Sequence, residues 1–124
     1  MANRLKKWIR HEFSTVCCAG EDYLAFQKDA RADLRKQAST AGYKLHKFNK
    51  NHYCFSAVLL DEETRNYIYI SVGDVRCGRR WYEEVLYRTM AHEKDWTGGP
   101  NQFCAWDGIS AALSGMKIGK AYSR

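Results

Sequence analysis

The strongest constraint on the fold is a change of hydrophobic period at Gly42. Before it, Tyr23, Phe26, Ala30, Leu34, Ala38 and Ala41 recur every three or four residues, the repeat of one buried face of an α-helix. Gly42 follows the last of them, where a left-handed C-cap belongs. After it the texture turns β-branched and aromatic: Tyr43 to Phe48, a polar Asn49-Lys50-Asn51 turn, then Tyr53 to Leu60. Across the acidic connection from Asp61 to Asn66 lies Tyr67 to Val72. Three antiparallel strands are expected, with Tyr53, Phe55, Ala57 and Leu59 on one face, and Ile68, Ile70 and Val72 on one face of the next strand.

The flanks complete an α+β reading. Leu5, Trp8, Ile9, Phe13 and Val16 fall at helical spacing with Arg4, Lys6, Lys7 and Arg10 off that stripe, so residues 3 to 15 read as a basic amphipathic helix, either a core element or a docking arm. Gly73 to Arg80 is a basic turn. Trp81 to His92 suits a helix through Tyr82, Val85, Leu86 and Thr89 and a strand through Val85, Tyr87 and Thr89; a helix or helical turn is expected. Asp95 to Trp106 holds the only proline and a Gly-Gly pair and reads as a loop. Asp107 then caps a short helix with Ile109, Ala112, Leu113 and Met116 inward. The whole is one domain, residues 1–124: two N-terminal helices on a small antiparallel sheet, a glycine-containing loop and a short C-terminal helix.

Composition narrows the function classes. A chain of 124 residues, 45% of them hydrophobic, can bury one core. No apolar run approaches the ~18 residues of a membrane span and the basic N-terminus lacks a signal-peptide core, so a cytoplasmic protein is expected. Cys17, Cys18, Cys54, Cys77 and Cys104 show no Cys-x-x-Cys spacing, which suggests reduced thiols and neither a disulfide framework nor a metal site. A formal charge of +6 favours a phosphate-bearing partner. Nucleic acid gains from that charge, but no recognised motif supports it, and it is not the expected partner.

The segment Arg88 to Phe103 is the densest in chemistry. Arg88 supplies a bidentate phosphate donor, Thr97 with the Gly98 and Gly99 amides supplies neutral donors, Asn101 can read a base or ribose edge, and Trp96 or Phe103 offers a stacking face. His92 and Asp95 sit within the same run. The same residues also read as a surface loop whose tryptophan plugs the core. Arg76, Arg79 and Arg80 beside Trp81 form either a phosphate-binding rim or a solvated basic turn. His46, His52 and His92 raise a small phosphodiesterase as an alternative, two imidazoles acting as general acid and base. No hydrolase, zinc-protease or Walker signature accompanies them, so no catalytic residue and no cofactor is assigned.

The run Tyr87 to Asn101, with Val72-Gly73-Asp74-Val75-Arg76 before it, resembles the C-terminal half of small phage proteins of the Thoeris anti-defence family of cyclic-nucleotide sponges. The resemblance implies a viral protein that is not an enzyme. It would sequester a cyclic ADP-ribose isomer, the immune signal of host TIR-domain enzymes, as a homo-oligomer with ligand sites at subunit contacts. Carried onto this chain it points to Arg88, Thr97, Gly98, Gly99 and Asn101 as ligand contacts, and leaves open a contribution from Arg31 or Arg35 of a neighbouring subunit. A phage inhibitor that binds a host defence protein directly, in the manner of an anti-CRISPR, is the other alternative.

Overall fold

The structure, a computed structural model, describes residues 3–13, 21–50, 54–72, 80–92, 94–95 and 99–118. Helix α1 (Asn3–Ile9) precedes the long α2 (Glu21–Thr40). Five strands follow: β1 (Lys44–Asn49), β2 (Phe55–Asp61), β3 (Asn66–Val72), β4 (Glu84–Met90) and β5 (Gln102–Ala105). A 3-10 turn (Trp106–Gly108) then opens α3 (Ile109–Ile118). The strands form one antiparallel sheet in sequence order, β1-β2-β3-β4-β5. The α+β architecture read from the sequence is the one observed.

Helix α2 ends as its sequence dictates. Gly42 adopts φ 82°, a conformation that costs a residue with a Cβ and glycine little. The Tyr43 N–H reaches back to the Ala38 carbonyl at 2.8 Å and the Gly42 N–H to the Ser39 carbonyl at 3.0 Å, which is a Schellman closure. Tyr43 and Ala38 both enter the core beneath it.

One face of the sheet carries Phe55, Ala57, Leu59, Ile68, Ile70, Val72 and Val85, and on it pack Phe26, Ala30, Leu34 and Ala38 of α2 with Ile109 and Leu113 of α3. The register sets Phe55 opposite Val72, Ala57 opposite Ile70 and Leu59 opposite Ile68, so the alternation read from the sequence becomes cross-strand apolar pairs. Tyr53, placed on the same face by the sequence, lies outside the described residues. Each large side chain buried here contributes about 1.5–3 kcal/mol relative to exposure. Helix α1 belongs to this core rather than extending as an arm, since Leu5 and Trp8 are buried and the Trp8 ring meets Phe26 edge-on at 5.8 Å.

Polar groups on α2 anchor the elements around it. The Asp33 carboxylate accepts the Trp106 indole N–H at 2.6 Å. The Gln37 amide donates to Asp33 and to the Trp106 carbonyl, both at 3.0 Å, and its oxygen accepts the Ser110 N–H at 3.2 Å. Asp29 accepts the Trp8 indole N–H at 2.9 Å, and Asp22 holds His11 at 2.8 Å. Tyr23 and Gln27 both donate to the Cys54 carbonyl, where β2 begins.

Four sequence expectations are corrected. Residues 84–90 form a central strand, not a helix, because both its faces are covered: Val85 enters the helix-side core while Met90 joins Val58 and Tyr69 on the opposite side. Within the expected 95–106 loop, residues 102–105 pair with β4 as a fifth strand. The first helix ends at Ile9 rather than near residue 15, with Phe13 buried outside it. Asp107 lies inside the 3-10 turn, whose N-cap position is held by Ala105, rather than at the N-cap expected for it.

Asp33→Ala should lower unfolding free energy by about 2–3 kcal/mol, because it leaves a buried indole N–H unpaired and removes a charge-assisted bond. Lys36→Ala, on the exposed side of the same helix, should change it by less than about 0.5 kcal/mol. Urea denaturation of the two variants makes the comparison.

Candidate functional site

The register decides which loops share an end of the sheet. Lys44 pairs with Leu60, Leu60 with Tyr67 and Tyr67 with Met90, so one row crosses four strands at one end. Beyond that row lie the α2–β1 corner, the 61–66 turn and Ala91, His92, Lys94 and Asp95, while Gly99 returns alongside Thr89. β3 ends at Val72 and β4 begins at Glu84, both at the opposite end, about 20 Å away along a seven-residue strand. Arg76 and Arg79 lie outside the described residues, and Arg80 is exposed. The chain on either side of residues 73–79 thus leaves and joins the sheet at the end away from the 91–101 segment.

Within that segment the described residues are built into the fold. Arg88 points to the sheet face away from the helices, is only 7% exposed, and lies over the Tyr69 ring at 4.5 Å. Its guanidinium donates to the Asp95 carbonyl at 3.1 Å. The Asp95 carboxylate in turn accepts the Ala91 N–H at 2.9 Å, and the Gly99 N–H donates to the Thr89 carbonyl at 3.0 Å. Glycine at 99 is required by proximity, since a Cβ there would run into the Thr89 hydroxyl. Arg88 is therefore a strut that fixes the turn, with a cation–π contact that strengthens as it is desolvated. His92, Lys94 and Asn101 are exposed on the turn so held, and His92 Nδ1 accepts the Lys94 N–H at 3.2 Å. Trp96, Thr97 and Gly98 lie outside the described residues.

The other feature at this end is a cleft of about 650 Å³ lined by Arg35, Ser39, Tyr43, Lys44 and, on its far wall, Asp61, Glu62 and Glu63. That volume falls in the range of small-molecule sites. Arg35 and Ser39 are one turn apart on α2, and the Gly42 reversal carries Tyr43 and Lys44 round to the same opening. Burial, and then the nearby Asp61 carboxylate, push the Tyr43 phenol up to about 12. Lys44 reaches Glu62 at 3.9 Å with both side chains largely in solvent, a pair of little energetic consequence.

The imidazoles are not gathered. His46 stands edge-on to Tyr67 at 5.7 Å on β1, while His92 follows β4, three interstrand spacings or about 14 Å across the sheet. His52 lies outside the described residues. Cys54 is buried, and burial raises the Cys104 thiol above its ordinary value, which disfavours the nucleophilic thiolate. Among the described residues no group of three potential metal ligands occurs, and no helix is long and apolar enough to cross a membrane. Comparison with known proteins finds no matching family model, curated protein or solved structure.

Gly99→Ala should destabilise the protein by about 1–3 kcal/mol, and Thr89→Ala in the same chain should recover most of that loss; a double-mutant cycle from thermal melts reads the coupling. A raised phenol favours the fold only while it stays protonated. The unfolded Tyr43 ionises near pH 10 while the folded one resists to about 12, so stability should fall across that interval. Tyr43→Phe should make the fall shallower in chemical denaturation followed from pH 9 to 12.

Proposed function

We propose that this chain binds a phosphate-bearing nucleotide signal and holds it without turnover at the end of the sheet shared by the cleft and the 91–101 turn. The observation that supports the reading is the shared end of the sheet: Lys44 stands in one cross-strand row with Met90, Arg35 lines the cleft beside Lys44, and His92 and Lys94 follow Met90. Phosphate oxygens held by Arg35 and Lys44, or by Lys94, would gain charge-assisted hydrogen bonds, about twice as strong as neutral ones. The turn that presents His92 and Lys94 is held in advance by Arg88 and Asp95, which lowers the ordering cost of binding.

The resemblance of residues 72–76 and 87–101 to the Thoeris anti-defence sponges supports a cyclic ADP-ribose isomer as the nucleotide, and a phage counter-defence role served by sequestration in the host cytosol as a homo-oligomer. In this reading Arg88 acts through the turn it braces, and Asn101 with the cations at its side makes the contacts. Sequestration asks only for affinity and exclusion of the effector.

Protein incubated with extract from cells whose TIR-type defence is active, then re-isolated and heat-denatured, should release an intact cyclic nucleotide on mass spectrometry. A cleaved product would instead identify a phosphodiesterase, and release of no nucleotide would overturn the reading. Arg35→Ala and Lys94→Ala, both at exposed positions, should each weaken capture about tenfold with an unchanged melting temperature, and binding should weaken as salt rises.

A further inference from the structure

We propose that the outer edge of β5 receives an extended, basic segment of a partner protein by strand addition. β5 is the last strand of the sheet order, with β4 on one side and no described strand on the other. An open strand edge offers unpaired N–H and C=O groups, and proteins usually blunt such edges with lysines, prolines or bulges. The two edges of this sheet differ in that respect. β1 carries Lys44 and Lys47 and an irregularity in register between Leu45 and Lys47. β5 reads Gln102-Phe103-Cys104-Ala105, without charge, proline or bulge, and three of its four side chains are exposed.

Across the Glu84–Ala105 end of β4 and β5 runs a groove of about 460 Å³ lined by Tyr82, Glu83, Glu84, Phe103, Cys104 and Ala105. Tyr82 and Phe103 are 75% and 58% exposed, large rings left in water. Their faces attract cations, and the carboxylates of Glu83 and Glu84 do so more strongly. On a chain of formal charge +6 this groove is lined by acids and carries no basic side chain. Glu83 holds a positive φ of 62°, an uncommon state for a residue with a Cβ, while its carbonyl accepts the Trp106 N–H at 2.7 Å. That bond carries the β4–β5 pairing one step past Ala105 and fixes the groove's acidic wall; backbone held in a sparsely populated region is found where the surroundings impose it, often at binding sites.

Charge and geometry select the occupant. In an added strand, side chains two residues apart share a face, so a segment with Arg or Lys at alternate positions can set one cation over an aromatic ring and the next against Glu83 or Glu84. Main-chain bonds to β5 would give affinity and the cations specificity, the usual division in strand addition. A second copy of β5 suits the groove poorly, because its own strand brings no cation. The groove lies at the Glu84–Ala105 end of the sheet, opposite the end proposed for the nucleotide, so either reading can fail without the other.

The test uses the full chain, without nucleotide, titrated with a fluorescent nine-residue peptide alternating Arg with Val or Thr, and with a counterpart in which Glu replaces Arg. Because the 61–63 carboxylates also attract a basic peptide, amide exchange and the variants locate the binding. Expected are saturable binding of the basic peptide alone, slowed amide exchange at Gln102 to Ala105, and at least about tenfold weaker binding for Phe103→Ala and for Glu83→Gln with Glu84→Gln. Tyr82→Ala, at a still more exposed site, provides a second aromatic variant whose melting temperature should match the parent. Absence of binding, equal binding of the acidic peptide, or indifference to all these variants would overturn the proposal. So would protection of the same amides that appears without peptide and grows with protein concentration, which would identify the edge as a contact between copies.

Discussion

The arrangement of elements depends on the Asp33–Trp106 hydrogen bond and the Gln37 amide that completes it. Trp106 is a fully buried side chain that contacts Phe55 and Trp81 at the centre of the core, and a buried indole must place its single N–H donor on an acceptor or lose more than a kilocalorie per mole. Asp33 is that acceptor. An apolar residue at 33 would leave that indole N–H without its acceptor. Ser110 adds to the constraint, its N–H on the Gln37 side chain and its hydroxyl on the Gln37 carbonyl. Three groups on α2 thus define the path of the last described element.

With α1, α2 and α3 all committed to one face of the sheet, the opposite face has to manage its own burial. Val58, Tyr69 and Met90 form a small apolar cluster there, and Arg88 covers Tyr69 from above. A guanidinium in such a place needs its polar edge satisfied, which the Asp95 carbonyl provides. The same contact that solves a packing problem therefore decides the shape of the turn after β4. Sheet and turn are coupled through one side chain.

This coupling explains why the chain was only partly readable from its residues. α2 and the β2–β3 pair were legible because each buries one face and so writes its period into the sequence: Tyr23, Phe26, Ala30 and Leu34 at helical spacing, Phe55, Ala57 and Leu59 at alternate positions. β4 is apolar on both faces, and a run such as Val85-Leu86-Tyr87 has no period to distinguish strand from helix. β5 is four residues long and mostly exposed, too short and too wet to show a pattern. Arg88, near glycines, suggests a phosphate donor from the sequence; its partner Tyr69 is set by the β3–β4 register, which no local spacing reveals. The cleft went unseen for a related reason. Arg35, Tyr43 and Asp61 come from a helix end, a reversal and a strand end, and only the cross-strand row from Lys44 to Met90 shows that these lie with the 91–101 turn.

The two ends of the sheet consequently differ in electrical character. At one end the cleft sets Arg35 and Lys44 among the carboxylates of Asp61, Glu62 and Glu63, with His92, Lys94 and Asn101 exposed on the turn across the sheet. At the other, Glu83 and Glu84 stand beside two exposed rings with no cation in the groove. A field of several kT over a small domain steers approaching molecules before contact, and the groove at the Glu84 end has no basic side chain to oppose an approaching cation. β4 joins them physically, with Glu84 at its start and the Arg88 strut near its end. Because that strand is central and paired on both sides, it is stiff along its length, and occupancy of one end gives little reason for the other to move.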